Sequence, residues 1–204
     1  MGTANVIELE TALEESLAYC RAHPEREFVK YYEPRLLRAK QRWDESVRLS
    51  DQHYLAWQSD FIEDKIAWKR LGAEVRATQK MLRRVGAVGY PTQSIWHWDE
   101  EILTALTLEV MEYLRGRTDV ITGAGERLDN LKRLLESAQG ETTEAGVALH
   151  EFSRYVLFRA QAMGTLSATL ADFRVSMRRT LGKRNPEYRA VRFPLSLAPD
   201  EPVL

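Results

Sequence analysis

The sequence predicts an all-α protein, an elongated antiparallel bundle of three long helices with a short helix before it and an extended, proline-containing tail behind it. Three observations carry that prediction. Glycine and proline are few, 11 and 7 in 204 residues, and they cluster, which leaves long stretches without a helix breaker. Apolar residues recur in alternating steps of three and four, the period of a helical seam and not of a strand. With 44% apolar residues, a chain of this length can bury a core of its own.

The N-terminal element spans residues 1–23. Asn5 is placed as its N-cap with Glu8 at the capping-box position, Val6, Leu9, Leu13, Leu17 and Cys20 make its apolar face, and His23-Pro24 stops it. The bundle follows over 24–184. Its first long helix, 24–86, begins near Pro24 or again at Pro34 and runs unbroken to Gly86 and Gly89. Leu36, Trp43, Val47, Ser50, Tyr54, Trp57, Phe61, Asp64, Trp68, Leu71, Val75, Thr78, Leu82 and Val85 form its seam, with one step of seven across Lys40. Aromatic residues in the middle, and Ser50, Asp64 and Thr78 at intervals of fourteen, suit a bundle core better than a two-stranded zipper. A turn over 86–94 leads to the next helix, 95–139, carrying Trp98, Ile102, Leu106, Val110, Tyr113, Val120, Leu128, Leu131 and Leu135 up to Gly140. Gly123 and Gly125 open the alternative of a break within it. The last helix, 142–182, opens at Thr142 or Thr143 and ends at Gly182. Asn185-Pro186 then starts the tail, 185–204, read as non-helical.

Short turns between long helices imply antiparallel neighbours. Folding back near residues 92 and 141 brings Trp68 level with Gly116 and Gly164, and Phe61 level with residues 123–125 and Ala160. Overpacking is the expected consequence of Gly116→Leu or Gly164→Leu. Asp64, set in an aromatic seam, needs a partner, and Arg117 or Arg159 are the candidates.

Lys and Arg number 29 against 30 Asp and Glu, a net charge of −1, which argues against a surface built throughout for nucleic acid. One cysteine and four histidines exclude a disulfide framework and the common structural zinc patterns. No apolar run reaches the roughly 18–20 residues of a bilayer span. The chain thus reads as soluble, unexported and cytoplasmic, and no cofactor or metal is implied. There is no glycine-rich phosphate loop, nucleophile elbow or His-Glu-x-x-His, and Cys20 near His23 reads as a buried structural thiol.

Arg48-Leu49-Ser50-Asp51-Gln52-His53, an arginine followed five residues later by a histidine, resembles the active-site motif of the HEPN ribonucleases, which are helical bundles. The resemblance implies that Arg48 and His53 polarise and deprotonate a ribose hydroxyl. The residue after the arginine, usually polar in that family, is Leu49 here.

The remaining candidates are surfaces. Arg76, Lys80, Arg83 and Arg84 end the first long helix, whereas Arg174, Arg178, Arg179, Lys183, Arg184, Arg189 and Arg192 end the last and begin the tail. The three-helix fold-back gathers both groups at one basic pole able to meet an anionic membrane or a nucleic-acid backbone. That layout is similar to the one of BAR domains, which bend membranes. Trp43, Trp57, Trp96 and Trp98 are candidate interface anchors. The leading expectation is a non-enzymatic scaffold or adaptor acting through a protein partner or as a homo-oligomer, with no small-molecule substrate implied.

Overall fold

The computed structural model describes residues 6–93 and 99–194. It is all-α, with α1 at Val6–Ala22, α2 at Glu27–Arg84, α3 at Glu100–Arg115, α4 at Ala124–Leu181 and the short α5 at Pro186–Ala190. The predicted class holds, but the layout is two helices of 58 residues with three shorter ones, not three long ones. The proposed cap Asn5, the anchors Trp96 and Trp98, and the tail beyond Pro194 lie outside the described residues.

The helix predicted over 24–86 is α2. Pro34 sits inside it without ending it. Its stop is built from glycine: Gly86 takes φ +70°, the Ala87 N–H donates to the Leu82 carbonyl at 3.0 Å and the Gly86 N–H to that of Arg83 at 3.2 Å, the paired bonds of a Schellman motif. The helix predicted over 95–139 is broken, as the Gly123–Gly125 alternative had it. Asp99 caps α3 by accepting from the N–H groups of Glu101 at 2.9 Å and Ile102 at 3.2 Å. Turns occupy residues 116–123, closing at Gly123 with φ +81°. From there α4 runs straight through Gly140, the expected stop. Thr142 and Thr143, expected as N-caps, lie inside the helix: the Thr143 hydroxyl donates back to the Gln139 carbonyl at 2.9 Å, the bond a threonine makes inside a helix, and the Thr142 hydroxyl lies 3.1 Å from the Ala138 carbonyl. The tail is corrected as well: Asn185 Oδ1 accepts from the Glu187 N–H at 2.7 Å and caps α5, with Pro186 in its first turn, where a missing N–H costs nothing.

The chain divides into two compact units. Unit 1, residues 1–52 and 153–204, packs α1 on the N-terminal part of α2 and the C-terminal part of α4. Leu9, Leu13, Leu17, Leu36, Trp43, Leu166, Leu170, Phe173 and Met177 are buried there. The segment after α4 folds back on this core: Val191 is buried, Phe193 lies 6.2 Å from Phe173, and the Arg192 N–H donates to Glu15 at 2.5 Å. Unit 2, residues 53–152, packs α3 on the rest of α2 and α4. Leu103, Leu106, Val110 and Leu114 meet Trp68, Leu71, Val75, Leu82, Leu131 and Leu135. The face α3 buries keeps the predicted Leu106 and Val110 but takes Leu103 and Leu114 in place of Ile102, which is exposed, and Tyr113, which is only partly buried. In both units α2 and α4 run antiparallel, tied by Asp51–Arg159 at 3.5 Å in unit 1 and by Glu74–Arg127 in unit 2.

An antiparallel α2–α4 pair changes the registry. Trp68 meets Thr142, and a Cβ built at Gly116 or Gly164 would find no atom within 4 Å. The overpacking expected there has nothing to press against. Gly140 and Gly164 sit in the interior of α4 without positive φ, so each only loosens the unfolded chain and the helix. Gly140→Ala and Gly164→Ala should each stabilise the protein by about 0.5–1 kcal/mol, measured as a rise in the denaturant midpoint. A fall for Gly140→Ala would restore the turn at that position.

Candidate functional site: an uncovered stretch of the α2–α4 pair

In unit 2 the seam of α2 begins with Tyr54, Trp57, Phe61 and Asp64, which share one face because their steps are three and four. Phe152 answers them from α4. Its ring stacks on Trp57 at 5.8 Å with the planes 6° apart, and Tyr54 stands 5.5 Å from it. Tyr54 and Phe61 each pack on Trp57 at 5.8 Å. These rings form a ladder between the two helices, yet no residue over 53–63 is fully buried. The buried cluster of unit 2 begins at Ala67 on α2 and reaches only Ala138 on α4, where α3 lies over the pair. Before that point no buried cluster of unit 2 forms over the ladder among the described residues.

A second stripe stands beside the first. Leu55, Ile62 and Ile66, spaced by seven and four residues, are 65%, 56% and 42% exposed. Leu55 and Ile62 each follow a ladder residue, Tyr54 and Phe61, by one position, about 100° of helical rotation, and Ile66 stands further round. Phe61 is itself 43% exposed, and Val147 and Leu149 on α4 are exposed too. The chemistry gathered here is aromatic and aliphatic: it can exclude water against another apolar surface.

A polar layer closes the stretch on the α3 side. Asp64 is buried, and its Oδ1 accepts from the Thr142 hydroxyl at 2.6 Å and from Trp68 Nε1 at 3.0 Å; the same indole N–H also reaches Thr142 Oγ1 at 2.8 Å. Lys65 Nζ lies 3.8 Å from Asp64 Oδ2 and 3.4 Å from Glu100. The partners of Asp64 are therefore Thr142, Trp68 and Lys65, and neither Arg117 nor Arg159. Arg117 stacks on Tyr113, while Arg159 sits over Trp43 and pairs with Asp51.

The other sequence candidates scatter. Arg48 is exposed in unit 1, whereas His53 belongs to unit 2, where its Nδ1 lies 3.5 Å from Glu151. Both are on continuous α2, where five residues turn about 140°. Trp43 is core and not an interface anchor: it is 3% exposed and donates from Nε1 to Glu10 at 2.9 Å. Trp57 keeps its candidacy as part of the ladder. Arg76, Lys80, Arg83 and Arg84 belong to unit 2, whereas Arg174, Arg178, Arg179, Lys183, Arg184, Arg189 and Arg192 belong to unit 1. The common pole depended on a turn at Gly140, and so did the BAR-like layout; neither follows from a continuous α4. Two of the unit 1 group hold the returning segment: Arg174 reaches the Tyr188 hydroxyl and the Pro194 carbonyl, each at 3.3 Å, and Arg192 lies 3.6 Å from Glu15. Cys20 is fully buried, and burial, with a smaller push from Glu33, moves its thiol up to about 12, away from nucleophilic use.

Sequence reading missed Leu55, Ile62 and Ile66, which stand off the main seam. Their own spacing of seven and four was the signal. Compared with known protein families, curated proteins and solved structures, the chain matches none.

Two measurements follow from these environments. Thr142→Val removes the shortest bond to a buried carboxylate and should cost about 1–3 kcal/mol, whereas Asp64→Leu, which leaves the Trp68 N–H on Thr142, should be close to neutral or stabilising; denaturant unfolding of the two variants gives the order. Iodoacetamide at mildly alkaline pH should leave Cys20 unmodified in the folded protein and alkylate it in denaturant, as read by intact mass.

Proposed function

We propose that this protein is a non-enzymatic helical scaffold that works by protein–protein association, in the first instance with a second copy of itself, through the uncovered stretch of unit 2. One observation carries the reading. Across residues 53–63 the apolar seam of α2 continues at full density while burial stops, so the stretch has the composition of a core and the exposure of a surface.

A second copy is the occupant that fits. Two antiparallel helices with apolar stripes on their open side are half of a four-helix bundle, and a two-fold pairing of such halves puts like stripes against each other. Covering each half-exposed Leu55, Phe61 or Ile62 contributes on the order of 1 kcal/mol. Trp57 and Phe152, stacked and already ordered, lose little freedom on being covered, as suits interface anchors. The groups gathered there are hydrocarbon and aromatic, which recommends assembly over turnover.

Size-exclusion chromatography with light scattering tests the reading. The wild type should run with the mass of a dimer, and Leu55→Glu/Ile62→Glu should run as a monomer with unchanged helicity and no loss of thermal stability beyond that of the lost interface. A wild type that stays monomeric at every accessible concentration overturns self-association.

A further inference from the structure

At the C-terminal end of α2 in unit 2 lies a cleft of about 280 Å³ lined by Arg76, Gln79, Lys80 and Arg83 of the helix and by Tyr90 and Thr92 of the segment that follows. We infer that this cleft is a binding site for a phosphate group, free or carried on a small molecule or lipid headgroup.

The helix supplies the charge. Positions 76, 79, 80 and 83 are spaced by three, four and seven residues, so three cations and one amide share a single face. No carboxylate lines the cleft, and among the described residues neither Lys80 nor Arg83 enters an ion pair within 4.0 Å. Like charges three and four residues apart repel, each pair by a few tenths of a kcal/mol, and a bound dianion reverses that sign. Cations at a helix C-terminus also answer the helix dipole, but dipole complementation requires no cleft.

The second wall distinguishes this place from the other basic stretches of the chain. Gln79 donates from Nε2 to the carbonyls of Pro91 at 3.0 Å and Gln93 at 3.2 Å, strapping the returning segment across the helix face. Further along, the Tyr113 hydroxyl donates to the Val88 carbonyl at 2.9 Å, and the Tyr113 ring packs edge-on against Tyr90 at 6.3 Å. Gly86 and Gly89, both at positive φ, let the chain reverse tightly enough to return there. The strap sets two hydroxyl-bearing side chains, Tyr90, which is half-buried, and Thr92, which is exposed, beside the three cations. Guanidinium, ammonium and hydroxyl donors converging on one space match a tetrahedral oxyanion. The volume is just below the roughly 300 Å³ at which small-molecule sites begin, room for a phosphate or diphosphate and not for a whole nucleotide.

Isothermal titration of the full chain with inorganic pyrophosphate at low and moderate salt, and cosedimentation with phosphatidylcholine vesicles with and without phosphatidate, test the assignment. Lys80→Ala/Arg83→Ala should weaken binding at least tenfold. Thr92→Ala should weaken it several-fold at unchanged net charge, and Arg184→Gln, a cation of unit 1, should leave it as it was; circular dichroism confirms that each variant is folded. Saturable pyrophosphate binding with that pattern supports a free-phosphate site. The same pattern with phosphatidate vesicles alone supports a headgroup site. Binding to neither ligand overturns the inference, and so does binding that falls equally in all three variants or is untouched by Thr92→Ala, which would mark general charge attraction without a built cleft.

Discussion

The structure depends on one seam. Along α2 the inward positions advance by three and four residues without losing phase through all 58 residues, and α4 does the same in the opposite direction. A seven-residue repeat keeps a stripe facing its partner only while the phase is held. Once it is held, the registry of every layer follows. Asp64 falls opposite Thr142 because the same antiparallel registry sets Tyr54 against Phe152 and Glu74 against Arg127. A one-step slip would leave a buried carboxylate without its hydroxyl, so the polar layer penalises alternatives that the apolar seam by itself would tolerate.

How much of this was legible is best judged at Gly140. The residues Gly140, Glu141, Thr142 and Thr143 spell a helix stop followed by a capping start, and local chemistry favours that reading. The periodicity says otherwise. Leu128, Leu131, Leu135, Ala138, Thr142, Ala145, Leu149, Phe152 and Val156 step by three and four straight across the glycine, and a real turn would have reset the phase. Tertiary packing of a continuous stripe outweighed about 1 kcal/mol of glycine cost, and the Thr143 hydroxyl found a carbonyl one turn back. The opposite happened over 116–123, where Gly116, Thr118, Asp119 and Gly123 weaken the helix together and Val120 is exposed. The missing step across Lys40 has a similar answer: Ala39, buried in unit 1, fills it with a side chain too small to stand out in a reading by bulk.

The candidate site was legible in its residues and not in its exposure. The aromatic run of Tyr54, Trp57 and Phe61 is plain in the sequence, but a seam position tells only which way a side chain faces. Whether it is covered depends on where the short helices land. Trp43 and Trp57 occupy equivalent seam positions fourteen residues apart, yet α1 brings Glu10 to the first and no short helix covers the second. The basic residues show the same dependence. Their identities were evident, but their grouping rested on a turn the chain does not make. Of the eleven cations, the three that line a cleft do so because Gln79 straps the segment after α2 over them, a long-range bond that periodicity does not encode.

Cover is the quantity in short supply. A helix that faces a single antiparallel partner hides one stripe and leaves its flanks wet; a third helix is needed to turn a two-helix seam into a core. Here α1 has 17 residues and α3 has 16, against 58 in α2. The two short helices together match little more than half of it. Where they lie, the buried clusters form; where they do not, over 53–63, the same density of large apolar side chains stays exposed. A chain could resolve the shortage by turning polar along the uncovered turns, as the exposed Gln52, Gln58 and Ser59 do. It does not do so at Leu55, Phe61 or Ile62, which stay exposed, and it is this surplus of uncovered apolar surface among the described residues that the proposed pairing with a second copy would hide.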